Sequence, residues 1–84
     1  MRVVKLISIS NIRKLDRYPI VPRTLDLANK LRDGRLTVHD LPPIHTKLEE
    51  GVHVILDGGH RYTAIRLAGI DKIKSKFSIN ENKI

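Results

Sequence analysis

The chain has 84 residues, enough for one compact domain with a modest core. It contains no cysteine, which excludes disulfides, thiol nucleophiles and thiolate metal sites and fits a reducing cytoplasm. Its formal charge of +7 favours polyanionic partners: nucleic acid, nucleotides or an anionic surface.

That charge is unevenly spread. Residues 1–35 hold nine Lys/Arg against three Asp, residues 36–71 hold three against five carboxylates, and residues 72–84 hold four Lys against one Glu. No apolar run is long enough to span a membrane. The opening MRVVKLISISNI lacks the apolar length and small-residue cleavage site of a signal peptide. The aromatic residues are Tyr18, Tyr62 and Phe77, so a core must rest on Ile, Leu and Val.

In chain order, Val3–Ile9 is β-branched and apolar enough for a buried strand, and Ser10-Asn11 breaks it. Asn11–Leu15 fits one helical turn with Ile12 and Leu15 inward. Pro19 and Pro22 bracket a loop. Thr24–Asp33 reads as a helix: Thr24 is a fitting N-cap, Asp26 lies in the first turn, Leu27 and Leu31 share a face, and Gly34 follows as the C′ residue. Arg35–Leu41 is less regular. Pro42-Pro43 hold the chain extended ahead of Ile44–Leu48, a short or edge strand. Glu49-Glu50-Gly51 is a turn, and Val52–Leu56 is the second strong strand.

Asp57-Gly58-Gly59 ends that strand and Arg61–Ala68 is a helix closed by Gly69. Ile73–Ile79 alternates cleanly, with Ile73, Ser75, Phe77 and Ile79 on one face and Lys74, Lys76 and Ser78 on the other, as in a half-exposed strand. The order strand, helix, strand, strand, helix, strand predicts an α+β domain with a small mixed β-sheet flanked by helices, spanning residues 1–84. The expected core includes Val4, Leu6, Leu27, Leu31, Val54, Leu56, Ala64, Ile65, Ala68, Ile73 and Phe77.

One constellation carries chemistry. Leu56-Asp57-Gly58-Gly59-His60-Arg61-Tyr62 leaves a strand and opens a helix. Two glycines permit positive φ and a close approach of ligand to backbone. A helix start directs N–H groups and a positive dipole end into the turn, which makes an anion site. Arg61 adds a five-donor fork suited to phosphate, and His60 a further donor. Asp57 is placed to hold a magnesium ion that bridges phosphates, or to cap the helix. No Walker-type phosphate loop is present.

Other residues are less telling. His39, His45 and His53 fit no zinc spacing and read as surface or strand histidines, with His45 and His53 facing each other if their strands pair. Arg13, Lys14, Arg17 and Arg23 form a basic run suited to nucleic acid or to solvent. Lys72, Lys74 and Lys76 are similar, suited to nucleic acid or to solvent, and lysine on an exposed strand also deters aggregation. Tyr62 reads as partial core rather than as a platform for a base.

From Val52 onward, VHVILDGGHRYTAIRLAGIDKI resembles the ParB/sulfiredoxin-like superfamily. The shared pattern is an apolar strand, Asp/Gly-Gly-x-[His/Arg]-Arg, a helix with Ala on its buried face, then Leu-x-Gly and a final strand. The earlier VVKLISI strand, the LANKL helix and the Pro43-Ile44 strand start are similar in order. Sulfiredoxins carry a cysteine in this turn where Gly59 stands here, so their redox chemistry is not available to this chain. ParB-type proteins bind cytidine triphosphate at a comparable turn and continue into a helix-turn-helix and a dimerisation domain, neither of which is expected within these 84 residues. Free-serine kinases of the superfamily carry Asp-Gly-x-His-Arg, which Asp57-Gly58-Gly59-His60-Arg61 matches. They also use a carboxylate nearer the N-terminus as base, and the first 25 residues here offer only Asp16.

The resemblance thus implies a nucleoside di- or triphosphate with magnesium at this turn. Gly58, Gly59, His60 and Arg61 would bind phosphate and Asp57 would hold the metal. The leading expectation is a cytoplasmic, DNA-associated nucleotide-binding domain, with Arg13, Lys14, Arg17 and Arg23 as nucleic-acid contacts. The alternative is a nucleotide-dependent phosphotransferase, such as a serine kinase, or a nucleotide hydrolase, with Asp57 catalytic. A basic DNA-binding protein with a vestigial pocket is the third.

Overall fold

In the computed structural model, residues 1–13 and 20–79 are described. The elements run β1 (Arg2–Ser8), a 3₁₀ turn (Ile9–Asn11), α1 (Pro22–Arg32), a second 3₁₀ turn (Val38–Asp40), β2 (Ile44–Glu49), β3 (Val52–Asp57), α2 (Gly59–Leu67) and β4 (Lys72–Ser78). The strands form one sheet in the order β1-β4-β2-β3. β1 pairs antiparallel with β4, β2 antiparallel with β3, and β2 parallel with β4. The expected α+β fold with a small mixed sheet is present. Among the described residues no helix is long and apolar enough to cross a membrane.

Three elements differ from the sequence reading. The turn expected over Asn11–Leu15 lies earlier, at Ile9–Asn11; Ile12 is extended and buried, and Leu15 lies outside the described residues. β2 is an interior strand, not an edge, because the chain returns through α2 to lay β4 against it. α1 begins at Pro22 with Val21 as its N-cap, and Thr24 lies inside the first turn. Proline suits the first helical position because its φ is preset and its missing N–H has no intrahelical partner to lose.

The β2–β3 hairpin turns on Glu50 and Gly51, both at positive φ (54° and 81°), as the tight type I′ connection requires. In that register His53 lies opposite Leu48 and His45 opposite Asp57. The two histidines do not face each other. Ile12 forms a parallel bridge to His53 and the Arg13 amide donates to the His53 carbonyl at 2.8 Å, so the segment after β1 runs beside the β3 edge.

The core comprises Ile7, Ile12, Leu31, Ile44, Ile55, Tyr62, Ile65, Ile73 and Phe77, with Leu27 and Ala68 packed against it. Ala28 and Ala64 are fully buried as well. Three expected core residues are exposed: Val4 (50%), Leu6 (42%) and Leu56 (64%). β1 turns its other face inward, since Ile7 sits opposite Ile73 and Val3 opposite Phe77. β3 buries His53 and Ile55, leaving Val54 on the opposite face, half-buried.

His53 is accommodated by a polar trio. Thr46 Oγ1 lies 2.8 Å from His53 Nδ1 and 2.8 Å from Ser75 Oγ, and all three residues are buried. Phe77 meets the imidazole edge-on at 4.6 Å between centroids. Burial pushes the His53 pKa down, because a cation loses hydration there. The unfolded chain therefore binds a proton more readily than the folded one. This contribution to stability is complete above the ordinary histidine pKa of about 6.5 and is lost as pH falls below it toward the depressed folded value. The urea midpoint is expected to drop between pH 7 and pH 5, and to drop less in His53→Gln.

Candidate phosphate-binding site

The site grows from the corner between β3 and α2. Gly58 is the N-cap of α2 with φ at 97°. A Cβ there would lie 2.6 Å from Ile44 Cγ2 and 2.9 Å from Arg61 Nη2, so both the conformation and the space demand glycine. Gly59 does not share this role, contrary to the expectation for both glycines. It is the first residue of α2 and has no positive φ.

Helix packing brings a second amino terminus to the same place. α1 and α2 pack on each other. At their carboxyl ends Arg32 Nη2 donates to the Leu67 carbonyl at 2.8 Å. At their amino ends Arg23 and Thr24 of α1 and Gly59, His60 and Arg61 of α2 line one cavity. The helices therefore run side by side in one direction. An α-helix leaves its first N–H groups without intrahelical acceptors and carries partial positive charge at that end. Two such ends at one cavity reinforce each other.

The cavity has a volume of about 350 Å³ and is completed by Val21, Leu27, Leu56, Asp57 and Gly58. Its charged walls are Arg23, Arg61 and Asp57, with His60 beside them. Arg61 is half-buried, and its Nη2 donates to the Pro43 carbonyl at 3.2 Å. Its Nε is buried without a hydrogen-bond partner, as is the Thr24 hydroxyl. Unmet polar atoms inside a protein are uncommon and call for a partner. Here both belong to residues lining a cavity that suits a ligand with acceptor oxygens.

Leu56 owes its position to a break in the ladder. The register shifts between His45 and Thr46, pairing His45 with Asp57 and Thr46 with Ile55. Leu56 has no residue opposite. Such bulges re-aim side chains beside binding sites, and Leu56 lines the cavity although largely exposed.

Asp57, Gly58, Gly59, His60 and Arg61 thus come together as the sequence suggested, and Arg23 joins them. Arg13 is elsewhere, with its guanidinium 3.4 Å from Glu49. Lys14 and Arg17, like Asp16, lie outside the described residues. Sequence reasoning missed Thr24 as a wall residue. Proline at the first helical position, had Pro22 been so read, would have placed Arg23 and Thr24 in the opening turn. Tyr62 is buried under Arg66, whose guanidinium carbon is 5.5 Å from the ring centre, and does not reach out to a ligand. Among the described residues no three His, Asp or Glu gather as a metal cluster.

No family model matches the sequence, and no curated protein matches it. Solved structures do match. Over 95% of this chain and 46% of the other, it superposes on C-terminally truncated ParB from Caulobacter crescentus complexed with CTP-γ-S, with a TM-score of 0.68 and 18% identity. Sulfiredoxin from Arabidopsis thaliana gives a TM-score of 0.71 and 21% identity over 93% of this chain and 86% of the other. Truncated Caulobacter ParB complexed to the centromeric parS site gives 0.61 and 18% over 93% of this chain and 40% of the other. The chain thus spans less than half of the ParB chains it matches, and most of sulfiredoxin. The chain has the ParB/sulfiredoxin-like fold.

Proposed function

We propose that the cavity binds the phosphates of a nucleoside di- or triphosphate and that the protein is a cytoplasmic, DNA-associated nucleotide-binding domain. The observation that carries the reading is the meeting of two helix amino termini and two arginines at one cavity. Anions favour such ends, and Arg61 and Arg23 supply charge-assisted donors. Val21, Leu27 and Leu56 offer an apolar wall to the nucleoside. The ParB structure with CTP-γ-S shares this fold, which supports a nucleotide as the ligand.

Asp57 fits the magnesium role. Magnesium bound with a nucleotide takes one or two carboxylates plus phosphate oxygens and water, and Asp57 is the carboxylate among the described lining residues. The metal would offset charge between the phosphates.

A thermal-shift series with nucleosides, diphosphates and triphosphates, each with and without magnesium, tests the reading. Triphosphates are expected to raise the melting temperature and free nucleosides to leave it unchanged, since a ligand that binds only the folded state stabilises it in proportion to ln(1 + [L]/Kd). No shift with any nucleotide would refute it. The presence of Asp57 in the wall also keeps a phosphotransferase in view. Phosphoryl transfer requires a group that orients the nucleophile as well as the metal, and a single lining carboxylate favours binding over turnover. Incubation with triphosphate, magnesium and serine separates them: phosphate released or transferred, and lost in Asp57→Asn, would establish the enzyme.

A further inference from the structure

The helices cover one face of the sheet and leave the other open. On β4 the outward positions are Lys72, Lys74 and Lys76, alternating with buried Ile73, Ser75 and Phe77. On β1 they are Arg2, Val4, Leu6 and Ser8, with Leu6 opposite Lys74 and Val4 opposite Lys76. Glu49 is the carboxylate among the outward positions of β1, β2 and β4, and it is engaged by Lys47 at 3.5 Å and Arg13 at 3.4 Å. The Lys74 ammonium donates to the His39 carbonyl at 2.9 Å, a contact that holds the side chain near the Asp40 carboxylate, whose pKa it helps to lower. Arg2, Lys72, Lys74 and Lys76 thus form a cationic stripe flanked by exposed Val4 and Leu6.

We infer that this open face binds the phosphate backbone of nucleic acid, with a single strand lying along β4. The inference names the surface for the DNA-associated reading above and rests on it. Charge complementarity is the first argument: among the described residues Arg2, Lys72 and Lys76 stand with no carboxylate between them, and Lys74, beside Asp40, joins them. Spacing is the second. Alternate residues of a strand recur about every 6.8 Å, close to the step between successive phosphates of an extended strand. The aliphatic side chains of Val4 and Leu6 lie beside the stripe, where sugars would pass. Among the described residues Phe77 and Tyr62 both point into the core, so neither of these rings is offered for base stacking. Binding here is sequence-independent and salt-dependent. β3 and its cavity lie across β2 from this stripe, so nucleotide and polymer do not compete for one surface.

Fluorescence anisotropy with a labelled single-stranded oligonucleotide and its duplex, over a salt series, tests this. Four phosphate contacts on a single strand give a slope of log K against log salt of roughly −3. Lys72→Gln/Lys76→Gln is expected to weaken binding about tenfold and to flatten the slope by about 1.4, while Lys30→Gln on α1, which pairs with Asp26, leaves both unchanged. A matching thermal midpoint certifies the double variant, and exposed Lys72→Gln alone serves if that midpoint falls. Duplex-only binding that the double variant loses keeps the face and overturns the single strand as its occupant. Binding that survives the double variant but fails in Arg13→Gln or Arg23→Gln overturns this surface and leaves the DNA-associated reading standing. Absence of binding to either oligonucleotide overturns both. A polyglutamate peptide that binds as tightly as the oligonucleotide overturns nucleic acid as the partner.

Discussion

Gly58→Ala is expected to destabilise the fold by about 3 kcal/mol and to abolish nucleotide-dependent stabilisation. A non-glycine residue held at left-handed φ costs about 1–2 kcal/mol. The new methyl must also displace Ile44, whose Cγ2 would be 2.6 Å away, and forced overpacking adds about 1–3 kcal/mol. Ile44 is fully buried on an interior strand, so it cannot yield without moving the sheet. Gly69→Ala is the control. Its φ is also positive, at 77°, but its added Cβ meets nothing within 4 Å. It should lose only about 1 kcal/mol. Urea denaturation of the two variants isolates the Ile44 contact, and equal losses would show that the corner tolerates a side chain.

Arg61→Ala is expected to weaken triphosphate binding by about 2 kcal/mol or more, roughly thirtyfold, because a charge-assisted contact disappears. Stability should change by less than about 1 kcal/mol, since one bond to the Pro43 carbonyl is lost together with a buried Nε that has no partner. Arg61→Lys keeps the charge but not the planar fork, and should recover only part of the affinity. Gly59→Val should also weaken binding by blocking backbone approach to the ligand. Calorimetry that returns equal affinities for the native protein, Arg61→Ala and Gly59→Val would remove the pocket from consideration.

The order of elements and the β3–α2 corner were readable because their signals are local. Alternation marks β4, glycines close both helices, and Asp57-Gly58-Gly59 ends an apolar strand. The faces of β1 and β3 were not readable, because apolar side chains occupy both. In VVKLIS, Val4 and Leu6 compete with Val3 and Ile7. In VHVIL, the strand buries its histidine and exposes a leucine, reversing the usual ranking. What decides is the polar company of Thr46 and Ser75, which lie seven and 22 residues from His53 in sequence and invisible to any short window. The cavity's second wall was hidden for a similar reason. Arg23 and Thr24 reach it only because α1 and α2 lie side by side.

The hydroxyl of Thr46 ties three strands together, since it touches His53 of β3 and Ser75 of β4 at once. A sheet with Val52 and Val54 on one side and His53 and Ile55 on the other loses little apolar burial if a strand slides by one residue. Such a slide would carry the imidazole to the open face and leave the buried Thr46 and Ser75 hydroxyls one partner short, at about 1–3 kcal/mol for an orphaned group. The trio therefore works as a key that rejects misaligned pairings, and Thr46→Val is the change most apt to yield a protein that collapses readily yet settles into more than one alignment.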